Sequence, residues 1–125
     1  MKFSDYVYVD KYCDKKFDSL FDIISKNKKC VDPSFFAIIL NEYSSNIEFE
    51  DYVFLQQKHY EKRPPIIVGL AKDYSSAQTL VSTMVADCLK KVGSIDYISF
   101  LASLPQKKQD SDKPILLKAG GNTND

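Results

Sequence analysis

Residues 66–93 read IIVGLAKDYSSAQTLVSTMVADCLKKVG, and this stretch decides the fold. Its first five residues are apolar or glycine and follow Pro64-Pro65, which favours an extended backbone, so the pattern predicts a short buried strand. Ser75 and Gln78 have the spacing of a capping box, which predicts a helix start. Gly93 stands where a left-handed residue ends a helix. A strand, a turn and a helix therefore follow one another.

The helix that ends before Gly93 has a wide apolar stripe. Its apolar residues recur at spacings of three and four, as they do on one face of a helix. They are Ala77, Leu80, Val81, Met84, Val85, Cys88, Leu89 and Val92. We expect this helix to be the central element of the core. The residues that we expect it to bury are Leu80, Val81, Met84, Val85 and Leu89.

The N-terminal part of the chain predicts a strand and a helix. Residues 6–9 are strand-forming, but they are too few for more than an edge strand. Asp10 has the character of an N-cap, because an apolar pattern of helical spacing follows it. The residues of that pattern are Cys13, Phe17, Leu20, Phe21 and Ile24.

Two segments in the middle of the chain have weaker signals. Asp32-Pro33 is a favoured helix start, so we interpret 32–43 as a helix, although its apolar run also suits a buried strand. Residues 47–62 fit either a strand or a helix. The polar run that begins at Gln56 has poor strand character and favours the helix slightly.

The last part of the chain predicts one more helix and a tail. Ser94 would cap this helix, which ends at Pro105. Its inward-facing residues would be Ile95, Ile98 and Leu101. We expect residues 105–125 to be a polar, mobile tail, because few of them can bury apolar area.

Composition and patterning together predict the fold class. The chain has 125 residues, of which 44% are hydrophobic and 27% are charged, a balance typical of one globular domain. We predict a small α+β domain at 1–104 in which four to five helices pack on a small sheet. A mostly helical bundle is the alternative.

The same composition limits compartment and partners. No stretch approaches the ~20 apolar residues of a membrane-spanning helix, so we expect no membrane association. The three cysteines form no Cys-x-x-Cys pair, which favours a reducing, cytoplasmic location. Seventeen basic residues balance seventeen acidic ones, and the basic clusters are short and separated, which makes a nucleic-acid partner a poor fit.

The turn within 66–78 is the candidate ligand site. The N-terminus of a helix offers free backbone N–H groups and a positive dipole to an anion. The residues that could bind an anion or a nucleotide there are Gly69, Lys72, Ser75 and Ser76. The pattern is neither a P-loop nor a dinucleotide fingerprint, and Asp73 adds a negative charge, so a plain helix cap explains it as well.

Other chemistry-bearing residues have simpler structural explanations. His59 is the single histidine, which excludes a metal site with two histidines from one chain. Glu48, Glu50 and Asp51 could act as acids, bases or ligands, but acidic residues in a first helical turn already suit the helix dipole. We therefore assign no catalytic residue, no metal site and no cofactor, and we lean against an enzyme.

An apolar island lies within the tail. Ile115, Leu116 and Leu117 could add a strand to an exposed sheet edge, in this subunit or in another. Because the catalytic signals fail, the leading hypothesis is a non-catalytic interaction or regulatory module that binds a protein partner or itself, and the sixteen aromatic residues are compatible with such a surface. The alternative is a small anion- or nucleotide-binding protein that uses the turn at 66–78.

Overall fold

The computed structural model describes residues 2–28, 35–41, 45–57, 65–106 and 113–118. These residues form five helices and five strands. In chain order the elements are β1 (Lys2–Val9), α1 (Lys11–Lys15), α2 (Phe17–Ser25), β2 (Phe36–Asn41), β3 (Asn46–Asp51), α3 (Tyr52–Gln57), β4 (Ile66–Ala71), α4 (Tyr74–Val92), α5 (Tyr97–Ser103) and β5 (Ile115–Lys118).

The five strands form one mixed sheet in the order β3-β2-β4-β1-β5. Strand β1 runs parallel to both of its neighbours, β4 and β5. Strand β2 runs antiparallel to β3 and to β4. The helices pack on both faces of this sheet, which confirms the predicted α+β class.

Each face of the sheet has its own hydrophobic core. On one face, α1, α2 and α3 contribute buried residues such as Cys13, Phe17 and Tyr52. On the other face, α4 and α5 contribute residues such as Leu80, Met84 and Tyr97. Because side chains alternate along a strand, neighbouring residues of β2 and β4 belong to opposite cores. Both of these strands are therefore covered on both faces.

The helix predicted for 32–43 is wrong within its described part. Phe36–Asn41 is strand β2, and four of its six residues are buried. A strand that is covered on both faces is apolar throughout and loses the alternation that identifies an exposed strand. The Asp32-Pro33 signal lies outside the described residues. The ambiguous segment 47–62 begins as a strand, β3, and continues as a helix, α3.

Two further predictions about element positions need correction. Strand β1 begins at Lys2 and lies between β4 and β5, so it is not an edge strand. The cap of α5 is Asp96, which accepts a hydrogen bond from the Ser99 N–H, and the helix buries Tyr97 and Phe100. Ile95 and Ile98, predicted to face inward, are 66% and 40% exposed.

Helix α4 follows β4 as predicted, with a different cap. The carboxylate of Asp73 accepts a hydrogen bond from the Ser76 N–H, where Ser75 and Gln78 were expected to form a capping box. Gly93 ends the helix in the left-handed conformation, at a φ of 78°. None of the helices in the described part of the chain is long and apolar enough to cross a membrane.

Candidate functional site

The predicted ligand residues do not form one ligand surface. Gly69 lies inside β4, and a Cβ atom there would come within 2.9 Å of the Ile38 Cδ1 atom. The absence of a side chain at Gly69 therefore leaves room for Ile38 of β2 to pack closely against β4. Lys72 is exposed, and its backbone N–H donates a hydrogen bond to Asp10. Ser75 and Ser76 line a cavity at the first turn of α4.

That cavity lies at the carboxyl ends of β1 and β4. These adjacent parallel strands lead into helices on opposite faces of the sheet, which is where α/β proteins often bind ligands. The cavity has a volume of about 260 Å³, and its lining residues are Asp10, Lys11, Ser75, Ser76, Thr79 and Leu80. Asp10, the N-cap of α1, and Lys11, its first residue, were not predicted to belong to this site, because only the pairing of β1 with β4 brings them here.

Carboxylates of the protein already accept hydrogen bonds from the backbone N–H groups that would otherwise bind an anion. The two carboxylate oxygens of Asp10 accept hydrogen bonds from the backbone N–H groups of Cys13, at 2.8 Å, and of Lys72, at 2.7 Å. Hydrogen bonds from Ser76 hold the pKa of the Asp73 carboxyl below its ordinary value, so Asp73 stays ionised. The carboxylates of Asp10, at the start of α1, and of Asp73, at the start of α4, therefore disfavour a bound anion. Anion binding in this turn stays a prediction, with the electrostatics against it.

The apolar residues of α4 form two stripes where one was predicted. The first stripe is buried against the sheet and comprises Ala77, Leu80, Met84 and Cys88. The second stripe lies beside it and is only partly covered. Val81 and Val85 are half-buried, and Leu89 is 46% exposed, although all three were expected to be buried. The sheet covers one stripe of the helix and ends before the other.

Strand β3, at the edge of the sheet, lies next to this second stripe. Together they form an open groove with a volume of about 310 Å³, which we call the α4–β3 groove. Its lining residues are Ser45, Asn46, Ile47, Glu48, Val81, Val85 and Ile95. The apolar side chains of Ile47, Val81, Val85 and Ile95 line much of this groove, and Ile95 is the most exposed of them.

An aromatic cluster continues this surface along α4 and β3. The ring of Tyr74 lies 5.3 Å from the ring of Phe49 and 6.0 Å from that of Phe36, in edge-to-face contacts. Tyr74 precedes Val81 by two helical turns, so both lie on the same side of α4. Tyr74 is 57% exposed. The exposed apolar surface therefore continues from Ile95 to Tyr74.

Ser45 and Asp96 fix one end of the groove. The Ser45 hydroxyl donates a hydrogen bond of 2.8 Å to the Asp96 carboxylate and accepts one of 3.2 Å from the Ile98 N–H. Hydrogen bonds from Ser99 and Ser45 lower the pKa of Asp96, which therefore remains ionised. These bonds hold the segment that carries Ile95 against the start of β3. These internal hydrogen bonds thus determine the shape of this end of the groove.

The apolar island of the tail lies in this chain's own sheet. Ile115–Lys118 forms β5, which pairs in parallel with residues 6–9 of β1. Leu116 packs against the core of the first face and Leu117 against the core of the second, while Ile115 is 41% exposed. Whether this strand also contacts a second copy stays a prediction.

In the described part of the chain, the remaining candidate residues form neither a metal site nor a reactive thiol site. Its Asp, Glu, His and Cys residues include no group of three or more that could bind a metal ion. Cys13 and Cys88 are buried free thiols, and burial raises the pKa of each, which makes them poor nucleophiles. His59 and Cys30 lie outside the described residues.

Comparisons with known proteins give no relative from which a function could be transferred. No protein-family model matches the chain, and searches of curated proteins and of solved structures found no match.

Proposed function

We propose that this protein is a non-catalytic interaction module that binds another polypeptide through the α4–β3 groove. The observation that carries this proposal is the second apolar stripe of α4, which is only partly covered and lies beside an edge strand. Large side chains that stay exposed together are a common mark of protein-binding surfaces. Here Tyr74, Leu89 and Ile95 are each between 46% and 66% exposed.

The shape of the groove supports this proposal. Ile47 and Phe49 of β3 pack partly against the core under α4, so the groove has an apolar floor. A partner that covers Val81, Val85 and Ile95 would remove their apolar surface from water, which favours association. The hydrogen bonds of Ser45 to Asp96 and Ile98 hold the wall in place, so little ordering is needed on binding.

The cysteines support a reducing, cytoplasmic location as part of this proposal. Cys13 and Cys88 are free and buried on opposite faces of the sheet. Chains in oxidising compartments more often use their cysteines as disulfides.

A selection with displayed random peptides would test the proposal. We expect the purified chain to enrich peptides that the Val85→Arg variant does not bind, because an arginine there places a charge within the groove. Phe54→Arg is the matched control, since Phe54 is 59% exposed and lies on α3, which packs on the other face. Both variants should keep the wild-type melting temperature.

The location of bound peptides completes this test. Amide chemical shifts of the labelled chain should change for β3 and α4 when a selected peptide is added. A selection that yields no peptide, or peptides that bind wild type and Val85→Arg equally well, would contradict the proposal.

A further inference from the structure

The outer edge of β3 has no strand beside it among the described residues. Strand β3 stands at one end of the sheet order and pairs only with β2 in that part of the chain. An edge strand presents backbone N–H and C=O groups that can pair with a further strand. In this protein the edge also borders the α4–β3 groove. A partner could therefore satisfy the backbone and cover the apolar stripe at once.

The side chains of β3 differ between its two faces. Ile47 and Phe49 point to the face of α4, where they pack against its core. Because side chains alternate, Glu48 and Glu50 point to the opposite face. By the same alternation Asp51, the last residue of β3, lies on the face of α4, so Glu48 and Glu50 are the charged residues of the opposite face. A strand added to β3 would thus meet apolar neighbours on one face and acidic neighbours on the other.

From this alternation, and resting on the proposed function, we propose that the partner adds to β3 as an extended strand in which basic and apolar residues alternate. Its apolar side chains would cover Val81 and Val85, and its basic side chains would lie beside Glu48. Opposite charges on neighbouring strands stabilise the pairing, whereas like charges destabilise it. Main-chain hydrogen bonds would supply affinity, and the alternating side chains would supply specificity.

A second copy of the chain fits this edge less well. In a two-fold antiparallel pair, residues that face each other point to the same side of the sheet. The registers that pair most of β3 then place Glu48 opposite Glu48 or opposite Glu50. Both arrangements set like charges against each other across the interface. The charge of β3 therefore favours a basic partner over self-pairing.

Short synthetic peptides would test this inference. The probe is the blocked peptide KVKIKV, labelled with fluorescein and titrated with the full chain while its anisotropy is measured. We expect saturable binding. The acidic counterpart EVEIEV should bind at least about tenfold more weakly, since each of three lysines is replaced by a like charge to β3. Raising the salt concentration should reduce this difference.

Backbone pairing has a separate probe. A KVKIKV peptide with alternate backbone nitrogens methylated keeps its side chains but loses donors on one edge. Two versions, methylated at odd or at even positions, cover both edges. We expect one of them to lose measurable binding and the other to keep it, because only one edge of the added strand faces β3.

Charge variants of the chain provide the matched comparison. Glu48→Lys should weaken KVKIKV binding about fivefold, because an attraction becomes a repulsion. Asp5→Lys makes the same charge change on the exposed Asp5 of β1, three strands from β3, and should leave binding unchanged. Equal binding of KVKIKV and EVEIEV, or of both methylated peptides, would overturn the inference.

The outcomes separate this inference from the proposed function. Selected peptides that occupy the groove without alternating basic and apolar residues would overturn the inference and leave the interaction module standing. If the chain sediments as a dimer, and Glu48→Lys changes the dissociation constant of that dimer, the inference is overturned and a second copy is the partner. The absence of any groove ligand would remove both proposals.

Discussion

The hydroxyl of Tyr8 on β1 donates a hydrogen bond to the carboxylate of Asp87 on α4, with 2.5 Å between the two oxygens. Tyr8 is 3% exposed and Asp87 is half-buried, so the bond connects the sheet to the long helix from within the protein. A hydrogen bond to a charged group that is shielded from water contributes more to stability than an exposed one.

Removing this hydroxyl should destabilise the fold. We expect Tyr8→Phe to lower the free energy of unfolding by about 1–3 kcal/mol, because Asp87 then lacks this donor. Urea denaturation would measure the change. Tyr6→Phe is the control, since the Tyr6 hydroxyl donates to the Pro105 carbonyl at an exposed position. If Tyr8→Phe were as stable as Tyr6→Phe, a water molecule would have replaced the Tyr8 hydroxyl as the hydrogen-bond donor to Asp87.

Two buried tyrosines predict a loss of stability at alkaline pH. Burial raises the pKa of Tyr8 and of Tyr97 above their ordinary value, and the Asp87 carboxylate adds to the effect on Tyr8. In the unfolded chain both ionise near pH 10. Above that pH the unfolded state therefore binds fewer protons than the native state, and stability falls as pH rises.

The slope of this loss can be measured by denaturation between pH 8 and 12. The buried thiols of Cys13 and Cys88 also have a raised pKa, so we expect the loss to begin at about pH 8.5, where thiols of the unfolded chain ionise. Above about pH 10 each tyrosine should add a loss of up to about 1.4 kcal/mol per pH unit. Tyr97→Phe should lower the slope above pH 10 by up to about 1.4 kcal/mol per pH unit and leave the slope between pH 8 and 10 unchanged. Stability that stays constant up to pH 12 would show that both hydroxyls reach water.

The two stripes of α4 predict losses of stability of different size for the same substitution. Met84 is fully buried, so Met84→Asp should cost several kcal/mol by placing an unpaired charge in the core. Val85 is half-buried in the groove, so Val85→Asp should cost about 1 kcal/mol or less. Thermal melting of the two variants checks this contrast. Equal losses would mean that Val85 is buried, as the sequence alone predicts.

A methyl group added at Gly69 should destabilise the fold. The alanine Cβ would lie 2.9 Å from Cδ1 and 3.2 Å from Cβ of Ile38, and we expect Gly69→Ala to cost about 1–3 kcal/mol through overcrowding. Ile38→Val removes Cδ1, so the double variant should be more stable than the sum of the two single losses predicts. Strict additivity in chemical denaturation would place the two residues out of contact.

Shortening the chain tests the role of β5. The sequence predicts a domain that ends at 104. A chain that ends at residue 106 would lack β5, whose Leu116 and Leu117 are partly buried. It would also lose the ion pair of Lys113 with Asp18, which lies 2.6 Å away. We expect a loss of about 2–4 kcal/mol, mostly from apolar area. Unchanged melting would favour the domain boundary at 104.

Local signals predicted the elements that depend on neighbouring residues. Asp10 caps α1 as expected, because a cap needs only a carboxylate and the backbone three residues later. Gly93 ends α4 for an equally local reason. The buried residues Cys13, Phe17, Leu20 and Ile24 also match the predicted apolar stripe.

The errors concern properties that depend on distant parts of the chain. Phe36–Asn41 became a strand because β3 and β4 flank it and helices cover both of its faces, which a run of apolar residues does not reveal. The α4–β3 groove could not be predicted, because it depends on where the sheet ends beside α4. The second stripe of that helix reads as core in the sequence, and only the width of the sheet leaves it exposed.

The position of β1 has a consequence for synthesis on the ribosome. Its neighbours are β4 and β5, and Val9 pairs with Lys118, which is translated 109 residues later. At about 5–20 residues per second, synthesis reaches the start of β4 about 3–11 s after the end of β1 and the end of β5 about 5–22 s after it. Throughout that interval the apolar Val7 and Val9 have no sheet to join. One edge of β1 therefore stays without its partner strand until residue 118 has been synthesised.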